Sequence, residues 1–226
     1  MQIEKLLKYI RRINLNPYYK AFMLWRLKHL TEYQFVLILS LVVGLFSGLA
    51  SVILKNTVHF TYEIISGFSW FSPDRGNILF LVYPTIGIIL TVMLVKYFIK
   101  DDLSHGVSKV MYSISRKNGK LKFHHCWSSV ITSSITVAFG GSVGLEAPIV
   151  LTCSAIGSNI SRFFRISRKH AITLLACGAA GAIAGVFKAP IAGVLFVFEV
   201  LMIDLTLSVA TPLLLAALTS SFISYF

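Results

Sequence analysis

The most informative segment for the fold and function of the chain is Gly140-Gly141-Ser142-Val143-Gly144-Leu145-Glu146-Ala147-Pro148. It places one carboxylate, Glu146, in a glycine-rich break between two apolar segments. An acidic residue at the centre of a membrane helix costs about 2.5–3.5 kcal/mol, and such residues usually face a cavity. The glycines before Glu146 and the proline after it predict a loop that ends where a helix begins. The first N–H groups of that helix would be available to an anion.

The composition is typical of a polytopic membrane protein. The 226 residues are 56% hydrophobic and only 13% charged, and the mean hydropathy is +0.77. The apolar runs Phe35–Ile53, Ile78–Tyr97 and Val130–Phe139 differ in length, whereas a spanning helix needs about 20 residues. We therefore expect an all-α membrane fold that includes tilted and partially spanning helices.

The apolar pattern also predicts where the longer helices lie. They are expected over about residues 34–65, 78–99, 123–139, 148–165, 191–202 and 206–226, with a turn at Asn118-Gly119. The first of them carries Gly44 and Gly48, a pair of small residues suited to close helix contact.

The net charge of +12 is concentrated at the ends of the apolar runs. By the positive-inside rule, the cations before the first run place the N-terminus in the cytoplasm. We predict a basic amphipathic helix over residues 1–32 that contacts lipid headgroups, followed by a transmembrane domain over residues 33–226. Nucleic-acid binding is not expected, because no folded basic domain accompanies these cations. A second basic group, which predicts another cytoplasmic edge, comprises Arg162, Arg165, Arg168 and Lys169.

The cysteines and histidines do not form a recognisable metal motif. Cys126, Cys153 and Cys177 are widely spaced in apolar surroundings, which is typical of small core residues. His124 and His125 precede Cys126 directly, but adjacent side chains on a helix are expected to point in different directions. The sequence predicts no metal and no other cofactor.

Three short helices are predicted to start at membrane depth, in segments that carry glycine or proline. They begin near Gly106, Glu146 and Pro190. Each helix N-terminus carries roughly half a positive charge. Two or three helix N-termini directed at one place would make an anion site that contains no full cation. The anion could therefore leave this site readily.

The residues at these three starts resemble motifs of the CLC family of chloride channels and proton-coupled anion transporters. Gly144-Leu145-Glu146-Ala147-Pro148 matches the family's G-(K/R)-E-G-P motif at Gly, Glu and Pro. The segment from Gly178 to Phe196, followed by Glu199, is similar to the family's long Ala/Gly segment and the acid after it. Ser104-His105-Gly106-Val107-Ser108 is similar to G-S-G-I-P, with His105 at the position of the ion-coordinating serine.

The resemblance covers about residues 34–226 and implies the first of the family's two inverted repeats. The second repeat would have to come from a longer chain or from a partner. Homodimers are also implied, with residues 190–226 contributing to the dimer face, in what we expect to be a prokaryotic plasma membrane. The ligand implied is chloride or a related anion. Glu146 carries over as the gate, and the anion-binding positions are Ser104, His105, Gly106, Val107, Gly144, Leu145 and Ala147.

The resemblance leaves the mode of transport open. Glu199 corresponds to a structural acid, and exchangers of the family typically carry a proton-accepting glutamate directly after it. This chain has Val200 there. We therefore expect a voltage- or pH-gated channel, with an anion/proton antiporter or a non-conducting half-length fragment as alternatives.

Three individual residues leave alternatives open. His105 would direct its ring or its N–H at the inner ion, or cap a helix that faces water. Lys188 would attract anions, or extend its side chain to the membrane surface. Gly141-Ser142-Val143-Gly144 loosely resembles the active-site loop of rhomboid proteases, but Ser142 stands one place early and His170 lies in a basic edge. We therefore do not expect an enzyme.

Overall fold

The structure is a computed structural model, and it describes residues 31–66, 79–99, 106–141 and 144–225. These residues form helices and connecting turns, which confirms the all-α fold. The predicted basic helix over residues 1–32 falls almost wholly outside them. Ser104, His105, Ser142 and Val143 lie outside them as well.

The helices begin and end close to the predicted positions. A predicted single helix over residues 123–139 is instead divided at Trp127. In chain order the helices are α1 (Glu32–Ser66), α2 (Leu79–Leu94, continuing as a π-helix over Val95–Ile99), α3 (Gly106–Arg116), a 3₁₀ turn (Phe123–Cys126), α4 (Ser128–Ala138), α5 (Glu146–Phe163), α6 (Arg168–Phe187), α7 (Pro190–Val200) and α8 (Leu207–Ile223).

The helices differ in whether they can cross a membrane. Within the described residues, two segments are long and apolar enough to do so, Glu32–Thr61 and Arg168–Phe187. By contrast, α3, α4 and α7 have 11 residues each. At about 1.5 Å per residue they extend about 17 Å, roughly half of a 30 Å hydrocarbon core. The expectation of partially spanning helices is therefore confirmed.

Helix α6 is the centre of the bundle and packs against α1, α5, α7 and α8. Its small side chains allow backbones to approach closely. A Cβ on Gly178 would overlap the carbonyl oxygen of Cys153 in α5, and one on Gly157 would overlap that of Leu174 in α6. The Ala/Gly-rich sequence of α6 thus serves packing on several sides at once.

Helix α1 crosses α8 at the predicted pair of small residues. A Cβ on Gly44 would lie 2.6 Å from the carbonyl oxygen of Ala216, and one on Gly48 would lie 2.9 Å from that of Ser220. Neither distance is tolerable for real atoms, so glycine is required at both positions. The prediction of close helix contact at Gly44 and Gly48 is confirmed.

Polar side chains join these helices through backbone carbonyls. Ser220 of α8 donates a hydrogen bond to the carbonyl oxygen of Gly181, at 2.6 Å. Lys55 of α1 donates from Nζ to the carbonyl oxygen of Val186, at 2.8 Å. A cation at this position also interacts favourably with the negative end of α6, which terminates at Lys188 in the left-handed region (φ 55°).

The histidine pair corrects one expectation. The rings of His124 and His125 do not point apart but pack together, with 4.1 Å between their centroids. The two residues lie in a 3₁₀ turn, and rotation about the side-chain bonds turns their rings toward each other although the backbone directs them apart. His125 is buried, and its carbonyl oxygen accepts a hydrogen bond from Thr152 of α5.

Candidate anion site

Two of the three predicted helix starts lie side by side. Gly106, the first residue of α3, packs against the first turn of α5 so closely that a Cβ would overlap the carbonyl oxygen of Ala147. Only a residue without a side chain allows this approach. The N-termini of α3 and α5 therefore present their positive ends at one place.

The same two helices are also joined near their other ends. Ser158 of α5 donates to the carbonyl oxygen of Gly119, at 2.6 Å, and accepts from the N–H of Leu121, at 2.9 Å. Both contacts are just beyond the end of α3, so α3 and α5 run parallel. From Ala147 to Ser158 the rise is about 17 Å, close to the length of α3.

A basic end of the bundle can now be defined as the start of α1, the end of α5 and the start of α6. Its parts are joined by Glu32, whose Oε2 lies 3.2 Å from Nδ1 of His170 and accepts from Ser167 at 3.3 Å. Along α5, the rise from Ala147, beside the start of α3, to Phe163, at this end, is about 24 Å.

The first turn of α5 has backbone N–H groups that form no hydrogen bond within the helix. The residue before it, Leu145, is already helical (φ −81°, ψ −5°) and makes no side-chain cap. The first intrahelical bond runs from the N–H of Ile149 to the carbonyl oxygen of Leu145, at 3.2 Å. The N–H groups of Glu146 and Ala147 thus have no acceptor within α5 and can bind an anion.

Glu146 lies on the exposed surface of the described residues, not in the core. Its Oε2 is 4.0 Å from the position that a Cβ of Gly144 would occupy. The carboxylate therefore stays near the glycine-rich break and the start of its own helix. Gly144 is exposed, whereas Leu145, Ala147 and Val107 are partly buried. Leu145 and Val107 pack against the core.

The third predicted start has different neighbours. Lys188, just before α7, places Nζ 4.6 Å from the ring centroid of Tyr225 beyond α8. Gly193 of α7 packs so closely on α6 that a Cβ would overlap the carbonyl oxygen of Ala180. Glu199 is exposed in the last turn of α7, and Val200 is partly buried.

Several residues that support the site were not identified from the sequence. The break begins at Gly140 in the left-handed region (φ 82°), and Gly141 donates to the carbonyl oxygen of Thr136, at 2.9 Å. Thr136 also shares a hydrogen bond of 3.0 Å with Thr91 of α2. These contacts fix the direction in which the chain leaves α4. Only the glycines gave a signal in the sequence, because threonine is common in membrane helices of any role.

Fold and site together define an all-helical membrane protein in which two parallel helices meet by their N-termini beside a carboxylate. The family model described as "Voltage gated chloride channel" matches residues 86–226. The chain belongs to this family, that of the CLC proteins.

Named relatives agree with this assignment. A "Putative chloride channel protein ClcB-like" of Ralstonia nicotianae is 33% identical over 147 residues, covering 63% of this chain and 34% of the relative. An "H(+)/Cl(-) exchange transporter ClcA" of Vibrio cholerae is 29% identical over 171 residues, covering 73% of this chain and 36% of the relative. The chain thus spans about a third of the length of these relatives.

Two solved structures share the fold. A slow cyanobacterial Cl⁻/H⁺ antiporter matches with a TM-score of 0.70 at 22% identity, which concerns the fold alone. A CLC-type fluoride/proton antiporter matches with a TM-score of 0.69 at 28% identity. Each comparison covers 84% of this chain and 46% of the other.

Proposed function

We propose that this chain forms one half of an anion pathway through the membrane, with Glu146 as its gate. The observation that carries the proposal is the meeting of two helix N-termini, marked by Gly106 and Ala147, beside that carboxylate. Together the two ends supply about one positive charge without a cationic side chain. Such a site attracts an anion and still releases it.

The gate would work by competition for backbone donors. When ionised, the Glu146 carboxylate accepts the N–H bonds at the start of α5 that an anion would accept. Protonation removes this advantage, and the neutral side chain leaves the position to the anion. Exposure of Glu146 on the described surface favours this motion, because the side chain is not held in the packed core.

The proposed site needs a further wall. Glu146 and Gly144 are exposed in the described residues, so the pathway is open on one side. We propose that a second repeat covers it, supplied by a longer chain or by a partner. Ser104 and His105, just before α3, would contribute the inner ligands.

The proposal also includes a homodimer in a prokaryotic plasma membrane with a cytoplasmic N-terminus. Helices α7 and α8 would supply part of the dimer face. Both helices expose large apolar side chains, which suits a contact with another protein surface or with lipid. These side chains are Ile191, Leu195, Leu207, Leu214 and Leu218.

Coupled exchange with protons is a second candidate on the same pathway. It is favoured by the relatives, since the names of the Vibrio cholerae protein and of the fluoride/proton antiporter describe proton-coupled transporters. Passive conduction is favoured by Val200, an apolar residue directly after Glu199. A valine cannot accept a proton on the inner side, so an exchanger would need water to carry it.

Simultaneous measurement of anion and proton flux distinguishes these modes. The full-length gene product is reconstituted in liposomes with a chloride gradient, and chloride efflux and internal pH are recorded. The proposal predicts chloride efflux above that of empty liposomes. Proton movement against its own gradient identifies an exchanger, and efflux without it identifies a channel. Absence of chloride, fluoride and nitrate flux would overturn the proposal of an anion pathway.

A further inference from the structure

A cavity of about 320 Å³ lies at the basic end, between the loop after α3, the end of α5 and the start of α6. Its volume is at the lower end of the range typical of small-molecule sites. None of the residues that line it is acidic, and four are cationic: Lys120, Arg162, Arg165 and Arg168. The residues of the candidate anion site do not line it.

The walls of the cavity are held by hydrogen bonds. Ser158 fixes the loop after α3 through its bonds to Gly119 and Leu121. Arg162 donates from a terminal guanidinium nitrogen to the carbonyl oxygen of Leu121, at 2.8 Å. The loop is therefore attached to α5 at Gly119 and at Leu121, and Lys120 lies between these two attachments.

The turn between α5 and α6 is equally well defined. Arg165 adopts the left-handed region (φ 50°), and its N–H donates to the carbonyl oxygen of Arg162, at 3.1 Å. The N–H of Ile166 donates to that of Ser161, also at 3.1 Å. This tight turn keeps the side chains of Arg165 and Arg168 in the lining of one cavity. It does so although the left-handed region is unfavourable for a residue other than glycine.

The charges around the cavity call for an anionic ligand. Like charges gathered in a concave surface repel one another and raise the local concentration of counter-ions. The nearby carboxylate of Glu32 is occupied, since it pairs with His170 and accepts from Ser167. Guanidinium groups bind phosphate oxygens through paired hydrogen bonds, which makes phosphate the anion best suited to three arginines.

We propose that this cavity binds a phosphate group, carried by an anionic lipid or by a soluble phosphate compound. Its position favours the lipid. The first turn of α1 lies at the same end, and a group of cations precedes α1 in the sequence. Lipid phosphates occupy the membrane surface, where α1, α5 and α6 begin or end.

The test compares two double variants that remove the same charge from the same end. Lys120→Gln with Arg168→Gln removes two cations that line the cavity. Lys122→Gln with Lys169→Gln removes two exposed cations, adjacent or nearly adjacent in sequence, that do not line it. Arg162 is left intact because it holds the loop. Elution as a single species in size-exclusion chromatography shows that each variant is folded, and single Arg168→Gln and Lys169→Gln variants replace any double variant that is not.

Binding is measured on the purified full-length gene product with two probes, dioctanoyl phosphatidic acid and inorganic phosphate. We expect the lining variant to lose at least about tenfold in affinity, because hydrogen bonds to charged groups are the stronger ones. The non-lining variant should bind as the original protein does. Binding of the lipid alone identifies a headgroup, and equal binding of inorganic phosphate identifies a soluble ligand. Failure of both probes to bind, or equal losses in the two variants, would overturn the proposal.

Discussion

Glycine is used for opposite purposes in two regions of this molecule. In the packed region, formed by α1, α5, α6 and α8, glycines such as Gly178 lie against the backbone of another helix. In the site region, formed by the starts of α3 and α5 with the break before α5, Gly106 makes a contact of the same kind, whereas Gly144 is exposed and has open space around it. The first use brings helices together, and the second leaves room beside a carboxylate.

Backbone hydrogen bonding differs between the regions in the same way. In the packed region, Ser220 and Lys55 donate to carbonyl oxygens of α6, so these two polar groups have partners in a neighbouring helix. In the site region, the first N–H groups of α5 have no acceptor within their helix and no side-chain cap at Leu145. The comparison teaches that polar groups of the packed region join one helix to another, whereas the first turn of α5 keeps N–H groups that have no acceptor in its own helix.

The largest effect is expected from an alanine in the packed region. In Gly178→Ala, the new Cβ would overlap the carbonyl oxygen of Cys153, and neither backbone can move without disturbing α5 or α6. We expect a loss of about 3 kcal/mol or more, at the top of the range for overpacking. The apparent melting temperature of the purified protein in detergent measures it. The matched control is Gly144→Ala, whose Cβ enters open space and should leave the melting temperature unchanged. Equal melting temperatures for the two variants would remove the distinction between the regions.

A smaller effect on stability, but a large one on transport, is expected where the two regions meet. Gly106→Ala would force the start of α3 away from Ala147. We expect a cost of about 1–3 kcal/mol, because α3 can shift while its other end stays attached to α5. Chloride efflux from liposomes should fall strongly, since the two helix N-termini no longer act together.

Ser108→Ala, at an exposed position two residues further along α3, serves as the control for Gly106→Ala. It should leave both efflux and melting temperature unchanged. Normal efflux with Gly106→Ala would mean that the proximity of the two helix starts is structural and does not serve transport.

The smallest effect is expected at the end of α6. Lys55→Met removes the hydrogen bond to the carbonyl oxygen of Val186 and the charge beside the helix end. We expect a loss of about 1 kcal/mol, seen as a modest decrease in melting temperature. Lys96→Met, at an exposed position of the π-helix, provides the control. A decrease of the same size in both variants would show that only the loss of positive charge matters.

Much of the packed region could be predicted from the sequence. Gly44 and Gly48 predicted close contact of α1 with another helix, because small residues let the backbones of membrane helices approach, although they did not identify α8 as the partner. The helix ends followed from Pro190 and from the Asn118-Gly119 turn. The division at Trp127 could not be predicted, since over only four residues the periodicities of a 3₁₀ turn and an α-helix cannot be told apart.

The site region was predicted less completely. The pattern around Glu146 located one helix start, and the polar segment before α3 located another. The contact between these two starts, through Gly106, depends on α3 and α5 running parallel. Hydrogen bonds of Ser158 support this parallel course, and no local sequence pattern predicts it. The start of α7 has the same sequence signals, yet it packs against α6 and lies near Tyr225. Helix starts can be found from sequence, but the point at which they meet is a property of the packing.

The central claim is that the carboxylate of Glu146 gates anion flux, and Glu146→Gln tests it most directly. Chloride efflux from liposomes containing the full-length gene product is recorded between pH 4.5 and pH 8, over a range in which an ordinary carboxyl group begins to titrate. Glu199→Gln, a second exposed acid in α7, is the control. We predict that efflux of the original protein and of Glu199→Gln rises as the pH falls, whereas efflux of Glu146→Gln is high and independent of pH. A pH dependence that is unchanged by Glu146→Gln would contradict the assignment of Glu146 as the gate.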